Sequence, residues 1–112
     1  MSQRHIPDVT HLQFLVLGTL RGGHRPGRAI RRALARHGVR RDGPAFYQMM
    51  ARLEDNGLVT GEYDQKVVAG QIIKERRYTL TGRGETAWSA TREFYTDAIS
   101  LYGAARPRTS HA

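Results

Sequence analysis

The stretch from Gly43 to Thr81 constrains the fold more than any other part of the chain. It reads GPAFYQMMARLEDNG and then LVTGEYDQKVVAGQIIKERRYTLT. In its first part Phe46, Met50 and Leu53 recur at i, i+4 and i+7, which puts them on one face of a helix. Asp42 or Gly43 caps that helix, Pro44 is its first residue, and Asn56-Gly57 ends it. Ala45, Gln48, Met49 and Arg52 lie toward the opposite side, with Tyr47 at the margin. The second part holds two strand-like runs separated by a turn centred on Ala69-Gly70. That turn sets Val59 against Leu80, Gly61 against Tyr78, Tyr63 against Arg76 and Val67 against Ile72. Their shared face is largely apolar, as a half-buried sheet requires. The other face pairs Glu62 with Arg77 and, less favourably, Asp64 with Glu75, while Lys66 and Lys74 flank the tip.

The flanking segments read as helices. Thr10 and Gln13 have the spacing of a capping box. Leu12, Leu15, Val16 and Leu20 then form one stripe, with Phe14 and Leu17 off it, so this helix is expected to be covered on more than one side. Arg21-Gly22-Gly23 stops it, and Pro26 is expected at the first position of a second helix running to about His37 and ending at Gly38. Ile30, Ala33, Leu34 and His37 share one face of that helix. Thr81 starts a last, long helix in which Trp88, Thr91, Tyr95, Ala98 and Tyr102 recur at heptad spacing. Ala87, Phe94 and Leu101 add a parallel stripe. The chain offers too little other apolar surface to cover both stripes and the first helix, so packing against a second subunit is expected. The expected interface is Phe14, Leu17, Trp88, Thr91, Tyr95, Ala98 and Tyr102. The order is mostly α with a β-hairpin: a winged helix-turn-helix plus a long C-terminal dimerisation helix. The boundaries are residues 9–80 for the winged unit, 81–103 for the last helix and 104–112 for a loose tail.

Charge narrows the partner. The 112 residues suit one domain with a modest core and carry a net charge of +8, with 18 Lys+Arg against 10 Asp+Glu. Only Lys66 and Lys74 are lysines. The arginine fork matches phosphate oxygens and guanine edges, so this excess favours a nucleic acid. From Val9 to Arg41 there is no acidic residue, and a one-sign run repels itself unless a polyanion meets it. The absence of cysteine excludes disulfides and thiolate chemistry. No apolar run approaches the roughly 18 residues of a membrane span, and the N-terminus lacks a signal-peptide core, so a cytoplasmic protein is expected. The histidines have no ligand-like spacing, and Gly82-Arg83-Gly84 is too short for a phosphate loop. Neither an enzyme nor a metal or cofactor site is expected.

Four pieces of the chain resemble the PadR-like bacterial transcriptional regulators. THLQFLVLGTL resembles the opening helix of that family, and PGRAIRRAL stands where its second helix lies. FYQMMARLEDNGLV is similar to the recognition-helix signature L-Y-x-x-L-x-R-L-E-x-x-G-L-[IV], and KERRYTLTGRG to the wing ending R-x-Y-x-[LI]-T-x-x-G. The pieces span roughly Val9 to Phe94, and the last two are the specific ones. There are departures. Arg28 replaces a common Tyr, and Pro44-Ala45 replaces a commoner Gly-Thr, which removes a hydroxyl. With a single C-terminal helix the chain resembles the short-tailed members. The resemblance implies a DNA-binding regulator. Most members are repressors, and several respond to phenolic acids or hydrophobic drugs.

These readings converge on a homodimeric, sequence-specific regulator, a repressor by the resemblance, bound to a pseudo-palindromic operator on double-stranded DNA. Tyr47, Gln48 and Arg52 are the candidate groove residues, since Gln can read adenine and Arg guanine. Arg28, Arg31 and Arg32 are candidate phosphate clamps on the second helix. Lys66, Lys74, Arg76 and Arg77 are the wing candidates, with Arg76 alternatively covering Tyr63. A small hydrophobic effector at the dimer interface is a further candidate partner, with Trp88 either lining its pocket or simply packing there. Two rivals remain: a basic RNA-binding or ribosome-associated protein, and a winged-helix module for protein interaction.

Overall fold

Side-chain caps fix where three of the four helices begin. The Thr10 hydroxyl accepts from the Gln13 amide, and the Gln13 carboxamide accepts from the Thr10 amide, each at 3.1 Å. Asp42 accepts from the Ala45 amide at 2.8 Å, and Thr81 from the Gly84 amide at 2.9 Å. Each such cap contributes about 1 kcal/mol. The structure, a computed structural model, describes residues 7–104. In chain order the elements are α1 (His11–Thr19), β1 (Arg25–Pro26), α2 (Gly27–Ala35), α3 (Gly43–Asp55), β2 (Val59–Val68), β3 (Gln71–Leu80) and α4 (Gly82–Tyr102). Of the tail expected from residue 104, positions 105–112 lie outside the described residues.

The start of α2 corrects the sequence reading. Pro26 is not its first residue but its extended N-cap, because Arg25 and Pro26 form a short strand against β3. Proline has no amide hydrogen to give a ladder, which suits it to this edge position. The helix ends at Ala35, and Gly38, at φ +78°, turns the chain so that the Val39 amide reaches the Leu34 carbonyl at 3.1 Å. His37 therefore lies past the helix and is exposed, rather than sharing the inward stripe.

The sheet has the order β1-β3-β2. The β2–β3 register is the one expected, from Val59 opposite Leu80 to Val67 opposite Ile72. Ala69 and Gly70 both take positive φ, +52° and +80°, the backbone of a tight hairpin turn that matches strand twist. The shared face is covered only near the base of the hairpin. Val59 and Tyr78 are buried, but Tyr63, Val67 and Ile72 are 64%, 74% and 71% exposed. At 10 residues each, the strands outrun the body they pack on and form a projecting wing.

One core joins the elements: Val16, Leu17 and Leu20 of α1, Ile30 and Leu34 of α2, Phe46, Met50 and Leu53 of α3, and Leu58, Val59 and Tyr78. Leu17 is fully buried in it, and Thr91 of α4 is 1% exposed and donates to the Ala87 carbonyl at 2.7 Å. Both were expected at a dimer interface, and neither has surface left to give a partner. The reason is that the first half of α4 already lies on α1. Phe14 stacks on Trp88 with centroids 5.5 Å apart and meets Tyr95 edge-on at 5.7 Å. Beyond that cluster α4 leaves Ile99, Leu101 and Tyr102 largely exposed.

Candidate nucleic-acid interface

The two faces of α3 divide its work. Phe46, Met50 and Leu53 are fully buried, while Tyr47, Gln48 and Arg52 face outward. Gln48 and Arg52 stand one turn apart, so they share an exposed edge. Tyr47 is half committed to packing. Its ring meets Phe46 edge-on at 4.9 Å, and its hydroxyl leans over Gly27, where a Cβ would stand 2.7 Å away. Gly27 is thus small because Tyr47 crosses it.

Tyr47 also lines a cleft between α3, the start of α2 and the wing, together with Arg28, Tyr63, Lys74 and Glu75. The Lys74 ammonium stands 5.5 Å over the Tyr63 ring. Arg31 reaches the start of α3, donating to the Arg41 carbonyl at 2.9 Å. Arg32 is exposed on the same helix as Arg31. Among the described residues neither Arg32 nor Arg52 has an ion-pair partner.

Three of the four wing candidates, Arg76, Arg77 and Lys66, are engaged in ion pairs within the protein. Arg76 donates to both carboxylate oxygens of Glu54, at 2.6 and 3.3 Å, and to the Gly61 carbonyl at 3.2 Å. It also covers Tyr63, with its guanidinium 4.8 Å from the ring centre. Arg76 therefore straps the wing to the end of α3 and is not a free groove contact. Arg77 pairs with Asp64, diagonally across the strands, rather than with the directly opposite Glu62. Arg28 pairs with Glu75 at 3.0 Å, and Lys66 reaches the same carboxylate at 3.5 Å. The hydrogen bond from Arg28 holds the Glu75 carboxyl below the usual carboxylate range. Burial pushes the Tyr78 hydroxyl up to about 12, so it stays neutral at the base of the wing.

The structure adds residues that sequence reasoning did not single out. Arg40 and Arg41 join Arg28, Arg31 and Arg32 around a hollow floored by Leu34, Val39 and Phe46. Their position at the end of the acid-free run was the available clue. Glu54 and Glu75 organise the wing cations. The clue for Glu75 was its register opposite Asp64, since two facing acids require nearby cations.

On the far side of the domain, Trp88 is engaged within one chain. It stacks on Phe14, and the Arg21 guanidinium lies 3.8 Å over its ring. Arg21 in turn pairs with Glu85 at 2.9 Å. Among the described residues no group of three or more metal-binding side chains gathers, and no helix is long and apolar enough to cross a membrane.

No family model matches the chain, and no curated protein does. Solved structures do. The chain is similar to a PadR family transcriptional regulator from Eggerthella lenta DSM 2243, with 26% identity, a TM-score of 0.70, and 88% of this chain covering 83% of that one. It is similar in fold to a PadR-like transcription factor from Bacteroides fragilis, with 16% identity, a TM-score of 0.70, and coverage of 86% and 90%. It also matches Bacillus subtilis PadR in complex with operator DNA, with 20% identity and a TM-score of 0.57, covering 92% of this chain and 55% of that one.

Proposed function

We propose that this chain, a PadR-like winged-helix transcriptional regulator, represses transcription as a homodimer bound to a pseudo-palindromic DNA operator. The observation that carries the reading is the division of α3: a fully buried inner face that fixes the helix, and an outer edge with Gln48 and Arg52 exposed. A helix held in this way can enter the major groove and present an adenine reader and a guanine reader to base edges. Arg31 beside its start, Arg32 on α2 and Lys74 across the cleft supply phosphate contacts that set its register without reading sequence. The PadR neighbour solved with operator DNA supports the same use of the fold here.

The second protomer is proposed to pack on the outer part of α4, where Ile99, Leu101 and Tyr102 leave apolar surface uncovered, with Tyr95 and Ala98 at its margin. A shift along that seam would change the separation of the two α3 helices, and a small hydrophobic effector bound there would act by the same route. The reading puts the protein in the cytoplasm with its DNA and gives it no catalytic role.

Titration of the duplex upstream of its own start, alongside random duplex and structured RNA, tests the reading. Affinity for the upstream duplex should fall steeply with salt. Gln48→Ala should lower the preference for that duplex over random DNA, by about 1–3 kcal/mol for a lost bidentate base contact. Arg31→Ala should weaken binding to both about equally and flatten the salt slope by about 1. Equal binding to RNA and random DNA, or indifference to both substitutions, would refute it.

A further inference from the structure

We propose that Glu75 is a specificity-determining residue, which holds Arg28 and Lys66 away from DNA phosphates until α3 is seated on its site. The inference rests on the DNA-binding reading above.

The geometry is asymmetric. The Glu75 side chain is 16% exposed, whereas its partners Arg28 and Lys66 are 58% and 46% exposed. The acid is sheltered between the wing and α2, and the cations reach over it from solvent. Arg28 comes from the start of α2 at 3.0 Å, and Lys66 from the neighbouring strand at 3.5 Å. Asp64, directly opposite Glu75 in the ladder, is taken by Arg77. Two carboxylates thus stand among three cations on a surface that flanks the groove helix.

Cation–phosphate contacts supply sequence-independent affinity, because each one releases a condensed counterion. A cation held by a carboxylate makes that contact only by giving up its partner. Exposed ion pairs are weak, so the exchange proceeds once base contacts by Gln48 and Arg52 seat α3 and hold phosphates within reach of both cations. On random duplex α3 is not seated, the phosphates are not held within that reach, and Arg28 and Lys66 stay with Glu75. The carboxylate therefore lowers affinity for random DNA more than affinity for the correct site. Arg31, Arg32 and Lys74, outside this cluster, provide the unspecific hold.

Glu75→Gln tests this, since it keeps the shape and removes the charge. The full-length variant and the unaltered protein are titrated by fluorescence anisotropy with random duplex and with the upstream duplex across a salt series. The unaltered protein must bind the upstream duplex in a salt-dependent way; if it binds neither duplex, the DNA reading fails along with this one. Glu75→Gln should bind random duplex up to roughly tenfold more tightly at low salt, with a slope steeper by about 1.8 for two recruited cations. The preference for the upstream duplex should narrow. Adding Arg28→Gln should take back about half of the steepening. Arg28→Gln alone should weaken binding to the upstream duplex more than to random duplex, a result independent of whether Glu75→Gln folds. An unchanged or flatter slope in Glu75→Gln, or a clear loss of random-duplex binding in Arg28→Gln, would show that Glu75 only buttresses Arg28 and would overturn the proposal.

Discussion

At the scale of single residues, small side chains set the spacing of the site. Gly84 is buried where α4 starts against the hairpin, and a Cβ there would stand 2.7 Å from a Leu80 methyl and press on the Leu58 carbonyl oxygen. Backbone cannot give way as a side-chain tip can. Gly84→Ala should therefore destabilise the protein by about 1–3 kcal/mol, the usual cost of overpacking, as read from its urea midpoint at unchanged m-value. An unshifted midpoint would mean that α4 is free to lift from the hairpin. Caps at this scale were legible in the sequence, because Thr10, Asp42 and Thr81 act on amides three residues away. The partners of Arg28 and Arg76 were not, because Glu75 and Glu54 lie 47 and 22 positions away and only the folded chain brings them near.

At the scale of elements, the wing shows where pattern reading holds and where it stops. Strand register follows from a two-residue period and a turn, so Val59 through Val67 could be matched to their partners in advance. Which of those residues would be covered depended on how far the body extends beneath them. Tyr63, Val67 and Ile72 continue the apolar face past its end. β1 was missed because a two-residue strand has no period to read. The strap between Arg76 and Glu54 gives the wing a fixed orientation to α3. Glu54→Ala would leave a partly buried guanidinium without its carboxylate, at a cost of about 1–3 kcal/mol. Amide exchange should then quicken in the outer half of the β2–β3 ladder, while the caps of α1 and α4 stay protected. Unchanged exchange along the ladder would mean that the wing needs no strap.

At the scale of the molecule, the body is elongated, with extents of 65 × 43 × 23 Å. Cations gather around α2, α3 and the wing, whose outer part also leaves Val67 and Ile72 uncovered, and a separate uncovered apolar patch lies at the end of α4. The heptad spacing identified α4 as a packing helix but could not say which stripe its own domain would use. Thr91 turned inward for that reason, Leu17 of α1 joined the core, and Ile99, Leu101 and Tyr102 remain exposed, the surface proposed above for a second copy. In the proposed dimer two α3 helices, held at fixed spacing, read one operator. Footprinting the DNA upstream of the protein's own start tests it most directly. Two protected half-sites of inverted sequence are expected, centred about 34–36 Å apart along the helix axis or a multiple of that. A single protected half-site, or no protection at protein concentrations that saturate the DNA, would contradict it.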